Sequence, residues 1–279
     1  MNEDVRRSRL LVSRRRALSL GGTIGLGSLL AACAGTSARS SATSAGSATS
    51  SAPMTPSSTA ADDIVAALDA VRTCTTSPEQ TQGPFWFDVD SIRSDIREQR
   101  PGSVLQLALR VQDVSACSSD GRATPIPNCV VEIWHCDAGG LYSGFESGGG
   151  GTNSGETSDG SYASGDQEAT TTDDGTYLRG AQVADSNGIV QFTTIFPGWY
   201  RGRTMHLHLK VHLDRETVLT TQLYVEDELA TEVYAAAPYS DRSGRRTLNS
   251  DDTFFSEDAI LTVSKQGGAY LGLINLGVD

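Results

Sequence analysis

The sequence is short of positive charge. Its 279 residues carry 22 lysines and arginines against 34 aspartates and glutamates, which gives a net charge of −12 at pH 7. Proteins that bind nucleic acid need a basic surface to neutralise phosphates, so this balance argues against nucleic acid as a partner. It also argues against a polybasic membrane contact, so any membrane association would come through a lipid anchor.

A long apolar run is missing as well. The apolar stretch over residues 17–32 is short and rich in glycine, which disfavours a transmembrane helix. It follows the basic residues Arg14–Arg16, and a basic region before a short apolar region is typical of an export signal. The adjacent arginines followed by Ala17 and Leu18 resemble a twin-arginine signal.

A cysteine ends this stretch. Leu29–Cys33 resembles a bacterial lipobox, so we predict a signal over residues 1–32 and lipidation of Cys33. An ordinary cleaved signal with a chance cysteine is the alternative. Residues 33–61, rich in Ser, Ala, Thr and Gly, predict a flexible tether because they have little apolar surface to bury. We therefore expect an exported protein, on the outer face of the membrane as a lipoprotein or secreted, with one domain over residues 62–279.

Only four cysteines follow Cys33: Cys74, Cys117, Cys129 and Cys136. An even number in an exported protein predicts two disulfides. Cys117 and Cys129 flank a turn-rich loop between two predicted strands, which favours Cys117–Cys129 with Cys74–Cys136, although the sequence permits two other pairings. A zinc site is the rival use of these cysteines, but their spacings match no common zinc motif.

Helical periodicity is confined to the start of this domain, where a short amphipathic helix is predicted over Asp62–Val71. Strand patterns follow at residues 105–111, 130–135, 189–195, 203–213, 218–225 and 259–263. The predicted fold class is all-β, a two-sheet β-sandwich with long active-site loops and a short N-terminal helix. The loop over residues 146–174 is rich in Gly, Ser, Thr and Asp, and is either a mobile lid or a tolerated surface insertion.

Histidine is scarce, and three of the four histidines lie in one predicted strand, residues 203–213. Its apolar residues alternate with period two, so they mark one buried face: Met205, Leu207, Leu209 and Val211. His206 and His208 therefore point together to the opposite face, where two imidazoles supply half of a metal site. We interpret His135 and His212 as structural.

Further motifs accompany this pair in a fixed order. They are the loop Ser77–Pro84, the segment Trp134–Gly144 with Tyr142, the segment Tyr177–Gln182, the turn Pro197–Arg203 with Tyr200, and Thr221–Val225 with Gln222. As a set, these motifs resemble the intradiol ring-cleaving dioxygenases, which act on catechols with non-haem Fe(III). The resemblance is to their exported branch, related to the protocatechuate 3,4-dioxygenase β chain, and covers about residues 74–222. The Gly/Ser-rich insertion after Tyr142 departs from that pattern.

The resemblance implies a cofactor, a substrate class and a reaction. Fe(III) would be held by Tyr142 and His206 as equatorial ligands and by Tyr200 and His208 as axial ligands. Phenolate and imidazole donors suit a trivalent iron. A catechol-type aromatic diol would bind as a chelating dianion, with one proton taken by Tyr200. O2 would cleave the ring between the two hydroxyl-bearing carbons to give a cis,cis-muconate-type product.

The resemblance also implies roles for residues around the iron. Arg203 would face the ring carbon and stabilise developing negative charge. Regular strand spacing would point it away from His206, so we expect a turn or bulge there. Gln222 would lie beside the reacting oxygen atoms. Residues expected to line the ring pocket are Thr81, Gly83 and Pro84.

Two other functions are compatible with the sequence, as is a homo-oligomer. A lipid-tethered β-sandwich binding module without catalysis would hold no metal. A zinc-dependent hydrolase using His206 and His208 would be colourless and would need a carboxylate ligand. The iron enzyme would be red-brown, because tyrosinate-to-Fe(III) charge transfer absorbs visible light.

The lipobox generates a prediction. Cys33→Ala should abolish lipid attachment and release or mislocalise the protein without lowering its specific activity. Metabolic labelling with a radioactive fatty acid, compared between wild type and Cys33→Ala, measures this. Label that persists in the variant would contradict lipidation at Cys33.

Overall fold

The computed structural model describes residues 58–71, 74–115, 117–118, 121–146, 170–200 and 202–279. The predicted signal, Cys33, nearly all of the predicted tether and most of the Gly/Ser-rich loop lie outside these residues. The compact unit considered below is Asp62–Asp279. Within the described ranges, no helix combines the length and the apolar character that crossing a membrane requires.

Strands make up most of the regular structure. They are β1 (Val104–Asp113), β2 (Thr124–Pro125), β3 (Val130–Trp134), β4 (Arg179–Val183), β5 (Ile189–Ile195), β6 (His206–Leu213), β7 (Glu216–Tyr224), β8 (Thr262–Gln266) and β9 (Ala269–Val278). The helices are α1 (Ser58–Asp69) and α2 (Asp227–Tyr234), with short 3₁₀ turns at Tyr239–Asp241, Asn249–Asp251 and Glu257–Ala259.

The strands form two sheets, which confirms the predicted sandwich. The first has the order β4-β3-β6-β7 and is antiparallel throughout. In the second, β1 pairs with β5 and β2 along one edge and with β9 along the other, and β8 follows β9. Only the pairing of β1 with β9 is parallel among these described strands.

The core lies between the sheets. It takes alternate residues of β1, β3 and β6, including Leu105, Leu107, Leu109, Val131, Ile133, Leu207 and Leu209, each at most 1% exposed. Burying each such side chain contributes about 1.5–3 kcal/mol. Because strand residues alternate between faces, the even-numbered residues of β6 are forced onto the outer face of the first sheet.

Helix α1 covers the outer face of the second sheet. Leu68 packs against Ala108, Leu271 and Leu273, and Arg110 of β1 reaches the end of the helix, where its Nη1 donates to Asp69 Oδ1 at 2.6 Å. Strand β9 is therefore buried on both faces, and its sequence does not alternate. That lack of alternation explains why β9 escaped the sequence pattern.

Several element boundaries differ from the predictions. Helix α1 begins at Ser58 instead of Asp62, so its first turn falls in the segment predicted as tether. The strand predicted to start at Arg203 begins at His206. Three short elements were not predicted from the sequence: strands β2 and β4, and helix α2, which spans only eight residues. Strand β9 was not predicted either, because its sequence does not alternate.

The predicted disulfides, Cys117–Cys129 and Cys74–Cys136, are wrong. Cys74 bonds Cys117 instead, with 5.9 Å between their Cα atoms. Cys129 and Cys136 are free thiols, and both are buried. The reason is strand geometry: Cys129 lies two residues before Val131 and shares its inward face, whereas Cys117 lies on an exposed loop after β1.

This pairing predicts a thiol count. Cys33→Ala protein, denatured without reductant, should react with a thiol reagent at two cysteines, and after reduction at four. Before denaturation neither should react quickly, because both are buried and burial raises the pKa of the Cys129 thiol to about 11. Two disulfides would instead leave no reactive thiol before reduction.

Candidate metal centre

Strand β6 presents two histidines on the outer face of the first sheet. His206 is 0% and His208 2% exposed, because the loop around residues 80–87 covers this face. His206 Nδ1 lies 2.7 Å from the carbonyl oxygen of Thr204, which can only accept, so Nδ1 carries the proton. The lone pair of His206 Nε2 is therefore available to bind a cation.

The hydroxyl groups of two tyrosines lie close to that lone pair. Tyr142 follows β3 on a tight turn, and Tyr200 lies just before β6. Their hydroxyl oxygens are 3.2 and 3.1 Å from His206 Nε2 and 3.5 Å from each other. A triangle of this size fits a cation bonded to all three atoms at about 2 Å. The structure thus brings together three of the four predicted ligands atom by atom.

His208 completes the group from one side. The centre of the His208 ring is 4.9 Å from that of the His206 ring. The His208 ring also stacks on Trp134, with 5.0 Å between the two ring centres and 9° between their planes. Its Nδ1 is buried without a hydrogen-bond partner. Gly83 lies against the imidazole, where a Cβ atom would come within 3.1 Å of Cε1, and it has a φ of +70°. Glycine is therefore required at this close approach.

Burial leaves all four groups uncharged when no cation is bound. It raises the pKa of Tyr200 to about 12 and that of Tyr142 well above its ordinary value. Burial also lowers the pKa values of His206 and His208 well below the ordinary imidazole value. Neutral imidazoles keep free lone pairs, whereas the phenols need the charge of a metal to ionise.

The donor set fits a phenolate–imidazole site better than a zinc hydrolase. Within the described ranges, no three His, Cys, Asp or Glu side chains cluster in a way that could hold a metal. Among the described residues, no cluster of this kind supplies the carboxylate ligand that the hydrolase hypothesis requires. Two phenols and two imidazoles form the group instead.

Arg203 lies beside the donors in a tight turn, not in a bulged strand. Its amide donates to Tyr200 O at 2.9 Å, and Gly202 between them has a φ of +83°. The expected turn is confirmed: β6 starts only at His206, so strand alternation does not apply to Arg203. The bulge in this strand pair lies between Val211 and His212 instead.

A buried carboxylate fixes this arginine. Asp252 Oδ2 accepts from Arg203 Nε at 3.0 Å and from the Thr204 amide at 2.9 Å. Arg203 Nη2 also donates to Gln222 Oε1. Burial alone would lower the pKa of the Arg203 guanidinium, but attraction to Tyr200 and Asp252 outweighs it and raises that pKa. Arg203 is therefore a permanent cation held in one orientation.

The predicted pocket loop lies over the same face. Gln222 Nε2 donates to Thr81 O at 3.0 Å, which ties this loop to β7. Pro84 is half-buried between Gly83 and Phe85, and the Phe85 ring stacks on Tyr142 with 4.7 Å between centres.

The other two histidines lie outside the group. His135 is buried, with its ring nitrogens 2.8 Å from Cys136 O and 2.7 Å from Thr194 Oγ1. His212 Nε2 is 3.4 Å from Glu132 Oε2. Both have structural partners, as predicted.

Sequence reasoning missed Asp252 and Phe85 and gave no role to Arg179. Asp252 stands in a loop remote in sequence from the histidines, where no spacing rule points to it. Phe85 directly follows the Ser77–Pro84 motif, so that motif was one residue too short. Arg179 stood in a noted motif, but nothing in the sequence indicated its burial.

Comparison with known proteins gives a consistent result. A family model described as Dioxygenase matches residues 76–251, which include all four donor residues. An intradiol ring-cleavage dioxygenase from Tetranychus urticae is 30% identical to this chain. That match has a TM-score of 0.61 and covers 74% of this chain and 95% of the other.

Two further similarities are more distant. The dioxygenase domain of a dioxygenase carbohydrate-binding protein fusion from Streptomyces sp. SirexAA-E is 24% identical, with a TM-score of 0.50, and the match covers 74% and 99% of the two chains. This similarity shows the shared fold alone. Catechol 1,2-dioxygenase from Acinetobacter baylyi is 27% identical over 191 residues, 60% of this chain and 51% of the relative. The chain thus spans about half the length of this curated relative.

Asp252 generates a prediction about stability. Asp252→Ala should lower the free energy of unfolding by about 3–5 kcal/mol, because it leaves the largely buried Arg203 cation and two amides without their acceptor. The control is Asp251→Ala, which breaks an exposed pair with Arg245 and should cost about 0–1 kcal/mol. Denaturant unfolding measures both. Equal losses in the two variants would mean that Asp252 does not anchor this turn.

Proposed function

Because the chain belongs to the intradiol ring-cleavage dioxygenases, we propose that it is an Fe(III) enzyme that cleaves catechol-type aromatic diols with O2. Cleavage falls between the two hydroxyl-bearing carbons, and both oxygen atoms of O2 enter a cis,cis-muconate-type product. The observation that carries the proposal is the buried triangle of Tyr142 Oη, Tyr200 Oη and His206 Nε2.

The chemistry of the donors favours ferric iron. Two phenolates and two imidazoles are hard-to-borderline ligands that suit a trivalent cation. Two phenolates leave Fe(III) with one net positive charge, which favours the ferric over the ferrous state. When bound by Tyr142, Tyr200, His206 and His208, the iron supplies the charge that ionises the phenols and activates a chelated diol towards O2.

The two tyrosines differ in their freedom to move. Tyr142 is fully buried and its ring is stacked on Phe85. Tyr200 is half-buried and precedes the exposed Gly202. Tyr200 is therefore the ligand better placed to shift and to accept a proton from a substrate hydroxyl, as an internal base. Tyr142 stays in place.

Arg203 supplies a fixed positive charge beside the reacting ring. The carboxylate of Asp252 and the amide of Gln222 hold its guanidinium before any substrate arrives. Negative charge that develops on the ring in the transition state then meets a cation that need not reorganise. The loop with Thr81, Gly83 and Pro84 closes this face against water.

Metal content, colour and turnover of the full chain test the proposal together. Iron-loaded protein should hold about one Fe per chain, absorb in the visible, and consume one O2 per catechol with formation of a ring-opened dicarboxylate. Stoichiometric zinc and no visible band after iron treatment would support the hydrolase instead. A protein that binds neither metal would support the binding module.

The internal-base role generates a separate prediction. Tyr200→Phe should retain some iron, because three ligands remain, but should lose turnover by about 10²–10⁴-fold, because the base is gone. The control is Tyr270→Phe. Tyr270 lies on β9, its hydroxyl donates to Glu232, and neither residue belongs to the donor group. Its turnover should match wild type. Wild-type turnover by Tyr200→Phe would contradict the role of Tyr200.

A further inference from the structure

Arg179 is a buried cation for which the reaction proposed above has no use. It begins strand β4 and lies opposite Trp134, whose ring stacks on His208. Only 2% of Arg179 is exposed. Burial lowers the pKa of its guanidinium to about 9, so the group still carries its charge at neutral pH. A charge buried this completely is costly unless an anion offsets it.

Among the described residues, the immediate partners of the Arg179 guanidinium are neutral. Its Nε donates to Ser143 Oγ at 2.8 Å and its Nη2 to Ser143 O at 2.9 Å. Its Nη1 is buried and has no acceptor. Aromatic rings enclose the guanidinium, with centres at 4.2 Å for Phe87, 5.9 Å for Phe145 and 6.0 Å for Tyr142. No ion pair joins Arg179 to a carboxylate of the described chain.

Arg110 shows how the same fold treats another buried arginine. It is 4% exposed on the other sheet, and it donates to Asp69 Oδ1 at 2.6 Å and to Asn275 Oδ1 at 2.8 Å. Arg110 therefore has its anion in the folded chain itself. Arg179 has no such carboxylate partner among the described residues, although it is equally buried.

Within the described residues Arg179 lacks a directly paired anion, and the adjacent site can produce one. Both hydrogen bonds of the Arg179 guanidinium go to Ser143, the residue directly after Tyr142. A tyrosine that ligates a metal binds as a phenolate, because the charge of the metal displaces the phenol proton. Loading the site thus creates a negative charge on the side chain whose ring lies beside the guanidinium.

We propose that Arg179 is a positioning residue whose guanidinium provides the counter-charge for the Tyr142 phenolate. This inference rests on the proposed function, because it takes Tyr142 as an iron ligand. It has two consequences. The metal-free protein carries a buried cation that no described carboxylate pairs with directly, since Glu132 and Asp173 act on it only through space. Iron binding would gain from the closer negative charge on Tyr142.

Removing the charge of Arg179 should therefore not destabilise the metal-free protein, but it should weaken the binding of iron. Metal-free Arg179→Gln should unfold at a temperature no lower than wild type. Its affinity for Fe(III) should fall by roughly 10- to 100-fold, the size of a charge–charge interaction across several ångströms of protein. Its visible band should move to longer wavelength, because a phenolate without a nearby cation gives up its electron more easily.

Two variants serve as controls. Arg179→Lys keeps the charge, so its iron affinity and band should stay close to wild type. Arg110→Gln removes an equally buried arginine that has a carboxylate partner. It should lower the unfolding temperature of the metal-free protein and leave iron affinity and the band unchanged. Calorimetry after chelation, iron titration and visible spectroscopy on the full chain supply the three readouts.

The outcomes separate this inference from the proposed function. A wild-type protein without a visible band after iron loading would overturn both. A wild-type band together with unchanged affinity and band in Arg179→Gln would overturn only the counter-charge role. The counter-charge role would also be overturned if metal-free Arg179→Gln were destabilised like Arg110→Gln or failed to fold. Arg179 would then be a structural residue.

Discussion

Strand β6 has to bury both of its faces, and the rest of the site depends on this constraint. Its odd-numbered residues, among them Leu207 and Leu209, fill the core between the sheets. The same backbone must then place His206 and His208 on the other side, where the loop over residues 80–87 removes them from water.

A buried imidazole needs partners for its nitrogens. The Thr204 carbonyl accepts a hydrogen bond from His206 Nδ1, and the lone pair of Nε2 faces the two tyrosine oxygens. The strand cannot shift without disrupting either the core or this group of four side chains.

Two buried arginines border this neutral cluster, and their surroundings differ. Arg203 is held by Asp252, so its charge is balanced within the folded chain and its orientation is fixed. Arg179 has neutral partners and an unused N–H group. In a low-dielectric site such a difference in pairing has large energetic consequences. We propose that this difference suits Arg203 to act on charge that develops on a substrate, and Arg179 to act on charge that is created when Tyr142 ionises.

The sequence predicted the parts that follow from local periodicity. The strand Ile189–Ile195 was predicted at its observed bounds, and the alternation around His206 gave the correct face for both histidines. Periodicity could not reveal β9, because both of its faces are buried. Nor could it reveal Asp252, whose contact with Arg203 depends on the tertiary path of a loop. The disulfide prediction failed for a related reason. Loop length suggested that Cys117 and Cys129 were close, while strand alternation turned Cys129 into the core.

We propose that two tyrosines and two histidines of this chain bind one ferric ion. Anomalous diffraction at the iron absorption edge, from crystals of the iron-loaded full chain, locates such an ion. This proposal predicts one strong peak per chain, within about 2 Å of Tyr142 Oη, Tyr200 Oη and His206 Nε2, with a nitrogen of His208 as the fourth protein ligand. A peak bound by the histidines but by neither tyrosine, or located elsewhere in the molecule, would contradict it.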